Sequence, residues 1–139
     1  MGTRSAIGLL EDGKIKAIYC HWDGYVDHNG RILEESYRDV DKVKQLLALG
    51  DLSVLDNALG EKHDFDKRLP GSCTFYGRDR DDDVECDPKY FDTAKEMCDW
   101  YGDSEYFYLM KNGVWFVNEG DGSKWTLLSV AIDELGDDE

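Results

Sequence analysis

Apolar residues come early in the chain, in two short runs at residues 7–10 and 15–22. Between them lies Asp12-Gly13, a dipeptide favoured in two-residue type I′ turns. The pattern predicts a β-hairpin over the first 22 residues. With Asp12 and Gly13 as the loop, Glu11 faces Lys14, Ile7 faces Ile18, Ser5 faces Cys20 and Arg4 faces His21. One side of the ribbon then carries Ile7, Leu9, Ile18, Cys20 and Trp22, and the other Ala6, Leu10, Ile15, Ala17 and Tyr19. Both sides are apolar near the turn, which predicts a hairpin central in its sheet.

Beyond Asp23-Gly24-Tyr25 the apolar spacing lengthens to that of a helix. Ile32, Leu33, Ser36 and Tyr37 form a short stripe. Val40, Val43, Leu46, Leu47 and Leu49 form a second, ended by Gly50 at the left-handed cap position. Residues 61–71 are polar, contain Pro70 and read as a loop; residues 73–76 read as a short strand. Asp87-Pro88 sets a capping residue before a proline suited to the first helical position. A helix is therefore expected from Pro88, with Tyr90, Phe91, Ala94, Met97, Cys98 and Tyr101 on its buried side and Gly102 at its end. A second hairpin is expected from Tyr106–Lys111 and Val114–Asn118 about Asn112-Gly113. Residues 125–132 are apolar and suit a strand or a helix equally, and residues 133–139 are expected to fray.

No repeat or linker interrupts this series. The expected architecture is one α+β domain over residues 1–139, an antiparallel sheet of two hairpins packed against two or three helices. With 41% hydrophobic and 12% aromatic residues, the chain has material for a core, unlike a disordered acidic tail. No apolar run approaches the ~18 residues of a membrane span, and the N-terminus lacks the pattern of a signal peptide. Ala6 stands where a myristoylation signal requires Ser or Thr. The four cysteines, Cys20, Cys73, Cys86 and Cys98, form no C-x-x-C pair, so reduced thiols are expected, with no metal and no cofactor.

Charge changes the picture. The formal net charge is −15. Residues 1–70 carry 13 acidic and 10 basic side chains, whereas residues 71–139 carry 18 and 6. So acidic a surface repels nucleic acid and anionic membranes and attracts the basic grooves of proteins that bind nucleic acid. The candidate surface comprises Asp79, Asp81, Asp82, Asp83, Glu85 and Asp87, followed by Asp92, Glu96, Asp99 and Asp103, whose spacing lines one side of the expected helix. Asp79-x-Asp81-x-Asp83 resembles the start of an EF-hand loop, but Val84 and Tyr90 stand where Gly and Glu are needed.

A second candidate lies at the open end of the first hairpin. The register gathers Arg4, Ser5, His21 and Asp23 there, and Arg78, which follows a short strand in Tyr76-Gly77-Arg78-Asp79-Arg80, is expected beside them. Such a group suits an anion or nucleotide, with Arg4 as clamp and His21 as acid or base. The simpler reading is architectural: His21 and Asp23 hold the turn, Trp22 is core, and the arginines neutralise nearby carboxylates. Cys20 and His21 point to opposite sides of a strand and form no thiolate–imidazole pair. No phosphate-binding loop, dinucleotide fingerprint, zinc-protease or nucleophile-elbow motif occurs, and no catalytic residue is assigned.

The segments Gly2-Thr3-Arg4-Ser5, Tyr19-Cys20-His21-Trp22-Asp23-Gly24-Tyr25, His28-Asn29-Gly30 and Phe75-Tyr76-Gly77-Arg78-Asp79-Arg80 resemble a family of small uncharacterised bacteriophage and prophage proteins. The likeness covers most of residues 1–80 and carries no activity with it. It implies a phage protein acting in the bacterial cytoplasm. The resulting expectation is a protein that binds and inhibits a host or defence protein handling nucleic acid, its acidic face mimicking phosphates in a basic groove. The alternative is a small nucleotide- or anion-binding protein, or a hydrolase, using the open end of the hairpin.

Overall fold

Asp12 and Gly13 adopt φ of 53° and 77°, the pair of positive angles that a type I′ turn requires. They join strands β1 (Ser5–Glu11) and β2 (Lys14–Cys20) in the expected register, with Ile7 opposite Ile18 and Ser5 opposite Cys20. The computed structural model describes residues 3–60, 67, 71–76, 79, 88–102, 104–119 and 125–136. After β2 the chain passes through a single π-helical turn, Val26–Gly30, into α1 (Arg31–Ser36) and α2 (Val40–Ala48). Asp39 caps α2 through the Asp41 amide, and Gly50, at φ 87°, turns the chain away at its end. β3 (Leu52–Val54), β4 (Thr74–Phe75) and β5 (Lys89–Phe91) are short, and α3 (Ala94–Trp100) follows. The second hairpin, β6 (Tyr106–Lys111) and β7 (Val114–Asn118), turns at Asn112 and Gly113 with φ of 53° and 79°. β8 (Thr126–Leu127) runs directly into α4 (Leu128–Gly136).

The α+β class stands, but the sheet is larger than two hairpins and it is mixed. Its order is β4-β3-β2-β1-β6-β7-β8, with β5 also pairing β2. β1 lies parallel to β6, and β2 parallel to β3. The crossover through α1 and α2 brings the chain back beside β2 in the same direction, which a hairpin cannot do. Central β1 buries both sides. Ile7, Ile18 and Cys20 pack under Leu33, Val43, Leu46 and Leu128, whereas Ala6, Ala17 and Phe107 pack under Met97 and Cys98. Three layers result, with α3 alone on the second side among the described residues.

Two expectations need correction. No helix starts at Pro88: residues 89–91 form β5, with Phe91 opposite Ile15 and Tyr90 opposite Lys16. The edge of β2 near its turn offers unpaired backbone groups, and β5 satisfies them. The helix begins after Thr93, whose hydroxyl accepts from the Glu96 amide at 3.1 Å in a capping box. Tyr90 is consequently 65% exposed, and Phe91 is only half-buried. Trp22 is likewise half-buried, because its amide leaves the hairpin to donate to Ser53 O. Residues 133–136 continue α4, and residues 137–139 lie outside the described residues.

Beneath the open end of the hairpin, buried Asn29 ties the π-helical turn to β1 and β2. Its amide nitrogen lies 3.4 Å from each of Ser5 Oγ, Cys20 Sγ and Trp22 O. The described cysteines, Cys20, Cys73 and Cys98, are buried and form no disulfide with one another. No helix among the described residues is long and apolar enough to cross a membrane.

Candidate functional site

The acidic surface is only partly as expected. Asp79 is 6% exposed, and its Oδ2 accepts the Phe75 amide at 2.8 Å, so its carboxylate serves the end of β4 rather than a partner. A carboxylate that receives a backbone N–H in place of water is fixed inward. Asp81, Asp82, Asp83, Glu85, Asp87 and Asp103 lie outside the described residues. Asp92, Glu96 and Asp99 are exposed, but only the last two are on α3, since Asp92 precedes its cap. Lys14 Nζ lies 3.1 Å from Asp92 Oδ1, and Lys95 Nζ 3.0 Å from Asp99 Oδ2. Both pairs are exposed, where solvent competes and little stability is gained.

The open end of the hairpin is also rearranged. Pairing of β1 with β2 stops at Ser5–Cys20, and the His21 amide donates to Leu52 O. Ser5 points to the α1–α2 side and is buried there against Asn29. Asp23 takes a left-handed turn at φ 57°, and among the described contacts it pairs with neither Arg4 nor His21. Arg78 lies outside the described residues. Among the described residues, Arg4, Ser5, His21 and Asp23 are therefore not gathered into one pocket.

Arg4 and His21 do share the side of the sheet that α3 covers, and they have different companions. Tyr19, two residues before His21 on that side, places its hydroxyl 2.8 Å from His21 Nδ1. The Glu105 and Tyr106 amides donate to Arg4 O at 2.9 and 3.4 Å, which fixes the Arg4 backbone against the start of β6. A cleft of about 230 Å³ opens beside it, lined by Arg4, Tyr19, Trp100, Tyr101 and Ser104. Tyr101 is anchored through its hydroxyl to Ala17 O at 3.2 Å, whereas Trp100 is 63% exposed. Burial, and secondarily the Arg4 charge, push the His21 pKa below its ordinary value, which favours the neutral ring. Burial pushes the Tyr19 phenol up to about 12, against a smaller opposing effect of Arg4.

The arrangement suits binding of a flat ring carrying negative charge: rings on the walls, one guanidinium at the edge, neutral donors and acceptors between. Tyr19 was legible from the register, being on the same side as His21. Trp100, Tyr101 and Ser104 had no such signal, because α3 reaches the hairpin only through tertiary packing. No three His, Cys, Asp or Glu side chains converge on a metal-sized site among the described residues. The chain matches no protein-family model, no curated protein and no solved structure.

Proposed function

We propose that this protein is a small acidic binding protein, of the kind phages carry, that occupies the basic groove of a host or defence protein handling nucleic acid in the bacterial cytoplasm. One observation carries the reading. Asp92, Glu96 and Asp99 are all exposed on the outer side of β5 and α3, in a chain whose second half holds 18 of the 31 carboxylates. The lysine partners of Asp92 and Asp99 are on the surface, so the cations of a partner can replace them at little cost. Opposed charge of this density speeds encounter and orients the partner more than it adds affinity.

The test is binding to a captured bacterial partner as a function of salt. Association should slow steeply as ionic strength rises and the Debye length shortens to about 8 Å. Replacing Asp92, Glu96 and Asp99, or Asp81, Asp82, Asp83 and Glu85, by their amides should slow it further while the melting temperature holds. Binding that ignores both salt and these replacements sinks the proposal.

A further inference from the structure

We infer that the cleft between Arg4 and Trp100 is a second binding site, for a small aromatic anion of the mononucleotide class, with the base against Trp100, Tyr19 and Tyr101 and the phosphate on Arg4. This goes beyond the acidic-surface reading and does not depend on it. The walls come first. Three aromatic rings border one cleft, and the largest of them, Trp100, is left 63% exposed. Trp100 meets Phe91 at 6.4 Å between ring centroids, which supports one side of the indole and leaves area for a ligand ring. Base-on-aromatic stacking accepts any base, since each has a π face.

Charge supplies the second element. Among the described residues Arg4 is the only cation lining the cleft, and no carboxylate of theirs pairs with its guanidinium. The guanidinium fork matches phosphate oxygens two at a time. In the cleft near the first turn, Lys14 and Lys44 lie beside Asp92 and Glu11, at 3.1 and 2.9 Å, and Lys16 lies over the Tyr90 ring, 5.9 Å from its centroid, so its cations already have companions of the chain's own.

Size and field set the ligand class. At about 230 Å³ the cleft is below the ~300–1,000 Å³ of pockets that enclose drug-sized ligands. It accommodates one base, with sugar and phosphate at the rim. The surrounding carboxylates repel a polyanion, so a strand is disfavoured where a single phosphate is accepted.

The experiment titrates the full chain with AMP, GMP, adenosine, inorganic phosphate and a single-stranded oligonucleotide, following the indole N–H resonances. A Trp100→Phe variant assigns the Trp100 signal. The expected result is saturable movement of that signal with AMP or GMP, about tenfold weaker binding of adenosine, and none of the oligonucleotide. Arg4→Gln should abolish the advantage of AMP over adenosine, about tenfold, and leave adenosine binding unchanged. Trp100→Ala should weaken both, and its surface position lets the fold survive, as the melting temperature would show. Replacing Asp92, Glu96 and Asp99 by amides should not weaken AMP binding, which separates this site from the acidic surface. No movement of Trp100 with millimolar nucleotide overturns the inference, as does AMP binding that Arg4→Gln leaves intact, or phosphate alone matching AMP.

Discussion

Tyr19 and His21 share a hydrogen bond of 2.8 Å between the phenol oxygen and Nδ1, on the side of the sheet that also carries Arg4. In the Nε2–H tautomer the phenol donates to Nδ1, and in the Nδ1–H tautomer the ring donates to the phenol oxygen. Arg4 opposes a second positive charge there, in addition to the larger effect of burial.

A pH dependence follows. The unfolded chain takes up a proton at His21 near pH 6.5, which the folded chain refuses until a lower pH. The stability contribution of this group is therefore full above pH 6.5 and is lost as pH falls through the folded value. Arg4→Gln should raise the His21 pKa seen by NMR titration, and His21→Gln should flatten the acid limb of urea-melt stability between about pH 7 and 5. A native His21 titrating at or above its ordinary value contradicts the arrangement.

Gly24 and Gly8 should respond differently to alanine. A Cβ on Gly24 would lie 2.7 Å from Thr3 O, the acceptor of the Gly24 amide, and 2.8 Å from Ser5 Cβ. Backbone cannot give way there, and Gly24 O also accepts the Tyr108 hydroxyl, so Gly24→Ala should cost about 1–3 kcal/mol. At Gly8 a Cβ would meet Cε and Sδ of Met97, the end of a flexible side chain, at 3.1 Å, and Cγ2 of Ile15 at 3.2 Å, with no backbone atom among them. The preference for alanine over glycine within a strand, about 0.5–1 kcal/mol, offsets that crowding. Urea midpoints of the two variants should differ clearly, with Gly24→Ala the lower.

Met97, rather than Phe91, anchors α3. Met97 is fully buried against the sheet, whereas Phe91 lies half-buried on β5 at the rim of the same cluster. Met97→Ala should cost about 2–5 kcal/mol by equilibrium unfolding. Phe91→Ala should fall below the ~3–5 kcal/mol of a core aromatic, because part of its ring already meets water. The reverse order would indicate that α3 packs differently.

Cys20 should be chemically silent in the folded protein. Burial pushes its thiol from 9.0 up to about 12, so no appreciable thiolate forms at neutral pH. Alkylation near pH 8, read by mass spectrometry, should leave Cys20 unmodified until denaturant is added. The unfolded chain loses this proton at a lower pH than the folded chain does. The associated stability is therefore full below pH 9 and lost as pH rises toward about 12. A Cys20→Ala variant should show a shallower alkaline decline.

Much of the local structure was written in adjacent residues. Asp12-Gly13 and Asn112-Gly113 adopt paired positive φ angles, Asp39 caps its helix and Gly50 ends it. Each of these depends on sterics and hydrogen bonds within a few positions, and the turn then dictates which residues of β1 and β2 face each other. Segments whose conformation is decided by a distant partner were not legible. The start signal Asp87-Pro88 lost to β5 because the edge of β2, far away in sequence, offered ladder hydrogen bonds. Residues 125–136 change from strand to helix where the chain leaves β7, with no break in hydrophobicity to mark the change. Asp79 belonged to an acidic run by sequence, yet folding turned it inward to the Phe75 amide. The cleft depends on both kinds of information. Arg4, Tyr19 and His21 follow from the hairpin register, whereas Trp100, Tyr101 and Ser104 arrive only when α3 packs over Ala17 and Phe107. A strand register is transmitted residue by residue from its turn; the approach of a helix to a sheet is set by the packing of side chains from many parts of the chain at once.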